Sequence, residues 1–385
     1  MMRTKKLIMI LAAGILILTS LLAVHPVFAE EAAPGTSFFD PPLCIPGYYE
    51  KSPADCLAYG ASQSIKSQTE TGIPYPVPPL PGIPTDPSLS ELPVRIAKVE
   101  EGGALPVYPS YDAAMAGSPV MGTIQAGPMR YVTAINSANG FVQMDADKNL
   151  EISNGWVQAK LLFSWNRFQG LAFNQTPKYD FGWMVNPSPA YVGPSFARQI
   201  PGLEYQKYQS FWVFKTVNAE GYDWYLVDEN TWVPSLKARK FHPDTTRPEG
   251  VKSDRWISMD LENFVLGVYD NDQLVFATLM STGRKPYYTV SGTFQIDRIY
   301  EKVTMQDSYE ADRSDYYQLQ GVPWALFFHK NTAVHGVYWP SMLGFQMSHG
   351  CINLAPGDAH WLYNWAKMGD YVYVFGDNTK GDGTQ

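Results

Sequence analysis

Residues 347–354, with the sequence MSHGCINL, place a histidine, a glycine, a thiol and an amide close together. The thiol is that of Cys351. A cysteine becomes a nucleophile when a nearby base or positive dipole favours its thiolate form, and histidine is the usual base. The same residue types also suit a zinc ligand, half of a disulfide or an ordinary buried thiol. The surroundings of Cys351 must therefore decide among four roles.

Three histidines, His329, His335 and His349, lie shortly before Cys351. His335 is followed by Gly336, where a preceding strand is expected to end, and its ring is our candidate base for the thiol. A tetrahedral zinc site would draw on the same side chains. The chain has no CxxC or HxxxH pair, so we predict no metal site.

The residues flanking Cys351 predict a loop followed by a helix. Gly350 permits an unusual backbone angle, and the backbone N–H groups of Gly350 and Cys351 are candidates for holding an oxyanion. Pro356 suits the first turn of a helix, and Gly369 would end it. Apolar residues recur at helical spacing between them, at Ala359, Leu362, Tyr363 and Ala366.

The sequence HGVYWPSMLGFQMSHGCIN, residues 335–353, resembles the signature of L,D-transpeptidases. STG at residues 281–283 and TVSGTF at residues 289–294 resemble further motifs of that family, although Val290 replaces the usual proline. The resemblance runs from about Trp256 to Phe375. Its fixed positions are met by His335, Gly344, Ser348, His349, Gly350, Cys351 and Asn353.

The resemblance implies a cysteine acyl transfer on peptidoglycan stem peptides, with no cofactor. Cys351 would attack the donor tetrapeptide, D-alanine would leave, and an acceptor amine would resolve the thioester into a three-to-three crosslink. His335 would be the general base, oriented by the Gly336 carbonyl. Hydrolysis of the same acyl-enzyme, an L,D-carboxypeptidase activity, is the neighbouring outcome.

The remaining site residues follow from the same resemblance, except Trp339, which is chosen because it lies next to the expected cleft. His349 and Gly350 are expected in the oxyanion region. Substrate contacts are expected from four residues, Ser348, Asn353, Trp339 and Gly344.

Hydrophobic patterning predicts strands around this motif. Residues 255–283 give a strand and then a hairpin whose turn is Asp270, Asn271 and Asp272. Together with these strands, the resemblance implies that residues 253–376 form a mainly β, sandwich-like catalytic domain with a short helix after Cys351. A flexible tail, residues 377–385, would follow.

Two similar stretches precede this domain, at residues 94–165 and 178–245. Each opens with an apolar strand and a Pro/Ser turn and closes on a Trp-Val pair, which resembles small bacterial SH3-like β-barrels. Such modules would contact cell-wall glycan or peptide, or only position the next domain. A wall-binding protein without catalysis is the alternative function that they suggest.

The sequence pattern of the N-terminal part predicts a signal peptide for export, a short cysteine-containing segment and a linker. Residues 1–29 begin with basic side chains, continue as an apolar run and end in a small-residue site at Ala29. An uncleaved anchor is the alternative. Residues 30–72 contain Cys44 and Cys56, which predict a local disulfide in an exported chain. Residues 73–93 are rich in proline and are expected to form an extended spacer.

Charge narrows the set of partners. The 385-residue chain carries 29 basic and 37 acidic side chains, a formal net charge of −8. Nucleic acids and anionic membrane surfaces attract clustered positive charge. The composition therefore argues against nucleic acid or an anionic membrane surface as a partner.

Overall fold

The computed structural model describes residues 48–52, 55–58, 72–101, 103–125, 129–308 and 316–380. The expected leader, Cys44 and the end of the tail lie outside these residues, so the leader and the disulfide stay predictions. The chain divides into two compact units, Met1–Ile65 and Lys66–Gln385. Within the described residues, no helix is long and apolar enough to cross a membrane.

The first unit contains one described element, an antiparallel hairpin. Its strands are β1 (Tyr48–Ser52) and β2 (Asp55–Ala58), and Glu50 lies opposite Cys56 in the register.

The second unit begins with a short strand and a small barrel. The short strand is β3 (Ile83–Pro84), and the helix α1 (Tyr111–Ala116) lies within the barrel segment. The barrel strands are β4 (Ile96–Val99), β5 (Ala104–Val107), β6 (Gly122–Gln125), β7 (Arg130–Ala138), β8 (Phe141–Met144) and β9 (Trp156–Leu161). β4 pairs with β7 and β9, and β8 pairs with the same two strands, so four strands close a ring. Alternate apolar residues fill it, including Val99, Val132, Val142, Met144 and Val157.

A second β unit follows β10 (Leu171–Ala172). Its strands are β11 (Asp180–Met184), β12 (Ser188–Tyr191), β13 (Gln199–Tyr205), β14 (Ser210–Val213), β15 (Lys215–Ala219), β16 (Tyr222–Asp228), β17 (Thr231–Pro234) and β18 (Ala238–Phe241). They form two sheets, in the orders β14-β11-β18 and β13-β12-β17-β16-β15. Small β units therefore occupy both stretches predicted to be SH3-like, and their relation to SH3 domains stays a prediction.

The C-terminal part is a β-sandwich with one helix, α2 (Pro356–Trp365). Its strands are β19 (Trp256–Asp260), β20 (Val265–Asp270), β21 (Gln273–Leu279), β22 (Thr282–Gly283), β23 (Gly292–Gln295), β24 (Arg298–Asp307), β25 (Tyr317–His329), β26 (Thr332–Gly336), β27 (Gln346–Ser348), β28 (Ile352–Leu354) and β29 (Tyr371–Phe375). The mainly β fold and the helix after Cys351 are confirmed.

Two sheets enclose the sandwich core. One has the order β23-β29-β19-β20-β21-β10-β3, and the other contains β28-β26-β25 with β24 on the outer side of β25. Alternate residues of each strand point inward because side chains alternate across a strand. Each fully buried aliphatic side chain contributes about 1.5–3 kcal/mol. The core includes Ile257, Met259, Leu266, Val268, Leu326, Val334, Ile352, Leu362, Val372 and Val374.

The first barrel continues directly into the second sheet of the sandwich. β7 pairs in parallel with β25, with Arg130 opposite Gln318 and Tyr131 opposite Leu319. The side chain of Gln320 adds two bonds: its Oε1 accepts from the Thr133 N–H at 2.9 Å, and its Nε2 donates to a barrel carbonyl at 3.2 Å. The barrel is therefore held to the sandwich by backbone pairing and by side-chain bonds.

The proline-rich segment 73–93 is extended but is not a free spacer. Ile73 is 3% exposed and packs with Trp224 and Trp232 of the second β unit. The indole of Trp212 donates to the Pro78 carbonyl at 2.8 Å. A 3-10 turn, Pro87–Ser90, then contacts α2. The segment fastens these elements together along its length.

Asp358, in the first turn of α2, ties that segment to the sandwich. Its Oδ1 accepts from the Gly170 N–H at 2.8 Å and from the Thr85 hydroxyl at 3.2 Å, and its Oδ2 accepts from the Thr278 hydroxyl at 2.6 Å. Burial raises the pKa of this carboxyl to about 7 even though the three donors favour the charged form. Asp358 therefore fixes the start of the helix that follows Cys351.

Candidate active site

Cys351 and His335 line one cleft of about 320 Å³ at the edge of the second sheet. The strands β26 and β28 pair in parallel, and His335 lies opposite Asn353 in that register. Cys351 directly precedes β28, so the parallel pairing brings the thiol and the imidazole to the same edge. The other lining residues include Met129, Arg284, Tyr317, Trp339, Ser348 and His349.

The ring of His335 has a defined tautomer. Its Nδ1 lies 3.1 Å from the Gly336 carbonyl oxygen, and because a carbonyl only accepts, Nδ1 carries the proton. Nε2 of the neutral ring is then free to accept a proton. Burial lowers the pKa of His335 to about 4, and the Gly336 carbonyl partly opposes that shift. The imidazole is therefore neutral at pH 7 and can act as a base.

The thiol of Cys351 lies against an apolar surface formed by Val303, Met305, Phe327 and Ala333. Its sulfur is 3.8 Å from the Asn331 carbonyl oxygen. Burial raises the pKa of the thiol, and a backbone hydrogen bond from Ala333 partly opposes that shift. The resting site therefore holds a neutral thiol and a neutral imidazole.

The loop before Cys351 is held by hydroxyl groups. Ser348 Oγ accepts from the Gly350 N–H at 3.0 Å and donates to the Cys351 carbonyl at 2.6 Å. Thr289 Oγ1 donates to the Gly350 carbonyl at 2.9 Å and accepts from the Gly283 N–H at 2.9 Å. Gly350 itself has a φ of 117°, which strongly favours glycine. Ser348, predicted to contact substrate, thus also shapes the nucleophile loop.

The predicted oxyanion role of Gly350 needs correction. Its N–H already donates to Ser348 Oγ, so it is not free to bind an oxyanion in this conformation. The Cys351 N–H remains as the candidate donor of this loop.

Three other predicted residues line the cleft as expected. His349 lies between two tyrosine rings, with centroid distances of 4.9 Å to Tyr287 and 5.6 Å to Tyr317. The ring of Trp339 is 5.8 Å from that of His335. Asn353 is 3% exposed, and its Oδ1 has no hydrogen-bond partner in the described part of the chain. These side chains define the walls of the cleft.

Gly344 lies outside the cleft, contrary to its predicted substrate contact. Its carbonyl accepts from Arg239 Nε at 2.8 Å, and a Cβ on Gly344 would lie 2.4 Å from Val185 Cγ1. Gly344 therefore fixes the loop before β27 against the second β unit.

Several residues at the cleft were not predicted. Met129, Arg284 and Tyr317 are among those that line it, and the ring of Tyr287 packs against His349. Arg284 directly follows the STG motif and Tyr287 lies shortly after it, so their position in the sequence was a usable signal. Met129 comes from the first barrel, and no local pattern could place it here. The described residues contain no group of three or more His, Cys, Asp or Glu side chains arranged to bind a metal.

Gly283 offers a test of the loop geometry. A Cβ there would lie 2.1 Å from the Tyr287 carbonyl oxygen and 2.9 Å from Gly350 Cα. We expect Gly283→Ala to lower the free energy of unfolding by about 1–3 kcal/mol through overpacking. Displacement of the Cys351 loop should slow acylation about 10²-fold. Denaturant unfolding and acylation kinetics measure both effects.

Gly193→Ala is the matched control, because its Cβ would meet only the guanidinium end of Arg198 at 3.5 Å. If Gly283→Ala and Gly193→Ala change the free energy of unfolding and the acylation rate by the same amounts, the close contact described at Gly283 is contradicted.

Comparison with known proteins shows what the segment that carries the cleft is similar to. Residues 254–374 match the model of the YkuD L,D-transpeptidase catalytic domain. "L,D-transpeptidase 2" of Mycobacterium tuberculosis is 28% identical over 154 residues, which cover 38% of this chain and 37% of that protein.

The similar solved structures also cover about a third of this chain. An L,D-transpeptidase from Stackebrandtia nassauensis is 25% identical over 33% of this chain and 58% of its own, with a TM-score of 0.27. The catalytic domain of an E. faecium L,D-transpeptidase is 26% identical over 33% of this chain and 100% of its own, with a TM-score of 0.29. The chain thus covers less than two thirds of the M. tuberculosis and S. nassauensis proteins. Residues 254–374 match the YkuD family of L,D-transpeptidase catalytic domains.

Proposed function

We propose that this protein is an exported cysteine L,D-transpeptidase that forms three-to-three crosslinks between peptidoglycan stem peptides. One observation carries the proposal: the bond from His335 Nδ1 to the Gly336 carbonyl leaves Nε2 as a base in the cleft that Cys351 lines. The family match over residues 254–374 supports the same chemistry. Export rests on the sequence pattern of residues 1–29.

Acylation begins from a neutral pair. As the Cys351 sulfur attacks the carbonyl of stem residue three, His335 Nε2 accepts the thiol proton. The Cys351 N–H stabilises the negative charge that develops on the carbonyl oxygen. His335 then returns the proton to the leaving amine, the peptide bond breaks, and D-alanine departs. A thioester links the donor stem to Cys351.

Deacylation reverses the roles of the groups. An amine of the acceptor stem attacks the thioester, its proton passes to His335, and the thiol is restored with that proton. A water molecule in place of the amine gives a trimmed stem, so carboxypeptidase activity uses the same intermediate. Access of the acceptor to the cleft decides between the two products.

Charged and polar cleft residues suit a stem peptide. Arg284 is exposed at the cleft, and it is the one Lys or Arg among the lining residues that the structure describes. Its guanidinium matches the terminal carboxylate of a tetrapeptide donor. The unpartnered Asn353 Oδ1 is available to accept a hydrogen bond from an amide or amine.

Mass spectrometry of products tests the proposal. The purified chain is incubated with a defined tetrapeptide stem, with and without an acceptor amine. We expect loss of D-alanine in both cases, a crosslinked product with the amine and a tripeptide without it. Binding to intact sacculi without any loss of D-alanine would contradict the proposal and favour a wall-binding protein.

A further inference from the structure

A groove of about 950 Å³, separate from the catalytic cleft, lies between the first barrel and the end of the β24–β25 pair. One wall comes from the barrel and includes Thr123, Gln125, Asn149 and Glu151. The opposite wall comes from the sandwich and includes Gln306, Asp307, Tyr316 and Gln318. The groove thus exists because the barrel is joined to the sandwich.

Asp307 connects this groove to the catalytic cleft. It lies at the end of β24 and lines both spaces. Its carboxylate is exposed, it accepts from the Ser308 N–H at 2.8 Å, and no salt bridge engages it within the described residues. A ligand seated in the groove therefore reaches the cleft past a carboxylate.

The groove and the cleft differ in charge. The described residues of the groove carry two carboxylates, Glu151 and Asp307, and no cation, whereas the cleft has Arg284 in addition to the shared Asp307. Amide and hydroxyl side chains supply the remaining polar surface. A groove lined by carboxylates attracts cations, so its charge favours a ligand that carries an ammonium group.

The walls of the groove are fixed to one another. Arg130 Nε donates to the Gln125 carbonyl at 2.7 Å, and its guanidinium donates to the Tyr316 carbonyl and stacks over the Tyr316 ring at 4.3 Å. Gln306 Nε2 donates to the Asn149 carbonyl at 2.8 Å. Arg130 is buried and does not line the groove. A groove fixed in this way loses little freedom when a ligand binds.

We propose that this groove binds the acceptor stem through its ammonium-bearing side chain, and that the first barrel forms one wall of the acceptor site. The inference rests on the proposed transpeptidase function. The donor occupies the cleft, where Arg284 matches its carboxylate, and the acceptor reaches the thioester from the groove past Asp307. The ammonium form binds at the groove carboxylates, releases one proton to solvent as it passes Asp307 into the cleft, and attacks the thioester there as the neutral amine.

Acceptor kinetics of the full chain test this inference. Glu151→Gln and Asp307→Asn remove one charge each at exposed positions and preserve side-chain shape. We expect each variant to raise the KM for an acceptor bearing a free side-chain amine by about three- to fivefold, the effect of one exposed ion pair. Added salt should raise the wild-type KM and narrow the difference, because salt screens exposed charges.

Two references accompany these variants. Glu204→Gln, an exposed glutamate of the second β unit, is the matched control and should leave the acceptor KM at the wild-type value. The acylation rate, which does not involve the acceptor, is measured on every variant so that KM effects are read separately from the first step.

Three results would overturn the inference. If acylation proceeds and the acceptor KM is unchanged in both variants, the groove does not bind the acceptor amine, and the proposed function stands. If the wild-type chain forms no acyl-enzyme, the proposed function fails and the inference fails with it. Loss of binding to a neutral chitooligosaccharide with an unchanged acceptor KM would also contradict it, since the groove would then bind glycan.

Discussion

Replacing His335 by glutamine will slow acylation of Cys351 by about 10²- to 10⁴-fold, the usual contribution of a general base. The thiol has a raised pKa, so little thiolate exists at pH 7 without a base to take its proton. Glutamine can keep a hydrogen bond to Gly336 but cannot accept that proton. Stopped-flow acylation of the wild type and the variant measures the ratio.

The pH dependence makes the His335 prediction specific. Burial lowers the pKa of this imidazole to about 4, so the neutral base persists well below pH 6.5. We expect the wild-type acylation rate to hold down to about pH 5 and to fall toward pH 4, with no acidic limb near 6.5. A limb at 6.5 would show that the catalytic base is an exposed histidine, and not this one.

The lowered pKa of His335 also makes the free energy of unfolding depend on pH. The unfolded chain has a histidine pKa near 6.5, so below that pH the unfolded state binds more protons at this position than the folded state. His335 therefore lowers stability as pH falls from about 6.5 to about 4, by about 3 kcal/mol in total. His335→Gln should lose this dependence. His242→Gln, which alters an exposed histidine outside the cleft, should keep it.

Replacing Cys351 by alanine will abolish D-alanine release, because no other group lining the described cleft can form a thioester. The thiol packs against Val303, Met305 and Phe327, so the variant loses only a small apolar contact. We expect thermal unfolding to shift by a few degrees, in line with a loss of about 1 kcal/mol. Turnover that survives in this folded variant would place the nucleophile elsewhere.

Local elements around the site could be predicted because their signals are local. Strand β20 ends at Asp270, and β21 begins at Gln273. Between them, Asn271 and Asp272 take the positive φ angles of 52° and 57° that a tight hairpin turn requires. Pro356 starts α2, as its fixed φ allows, but the predicted end at Gly369 is wrong, because the helix ends at Trp365 and Ala366 has an extended backbone. These features depend on a few neighbouring residues.

Long-range features could not be predicted. The pairing of β7 with β25 joins segments far apart in the chain and creates both the position of Met129 and the acceptor groove. The buried contacts of Thr85 and Pro78 likewise depend on Asp358 and Trp212. Proline content indicates an extended chain but says nothing about what that chain packs against.

Hydrogen bonds between side chains and backbone groups explain the two corrections at the site. Gly344 and Gly350 both fit the family signature, which records residue types and not the partner of each N–H or carbonyl. Gly344 does not line the cleft, because the hydrogen bond from Arg239 to its carbonyl holds it against the second β unit. Gly350 cannot bind an oxyanion in this conformation, because its N–H donates to Ser348 Oγ. Such partners are visible only in three dimensions.

The intact mass of the folded, reduced protein after exposure to a carbapenem tests the central claim most directly. The strained β-lactam carbonyl acylates an activated thiol, so one added carbapenem mass is expected on the wild type, and peptide mapping should place it on Cys351. Cys351→Ala should gain no mass. An unmodified wild-type chain, or an adduct that persists in Cys351→Ala, would contradict the assignment of Cys351 as the nucleophile.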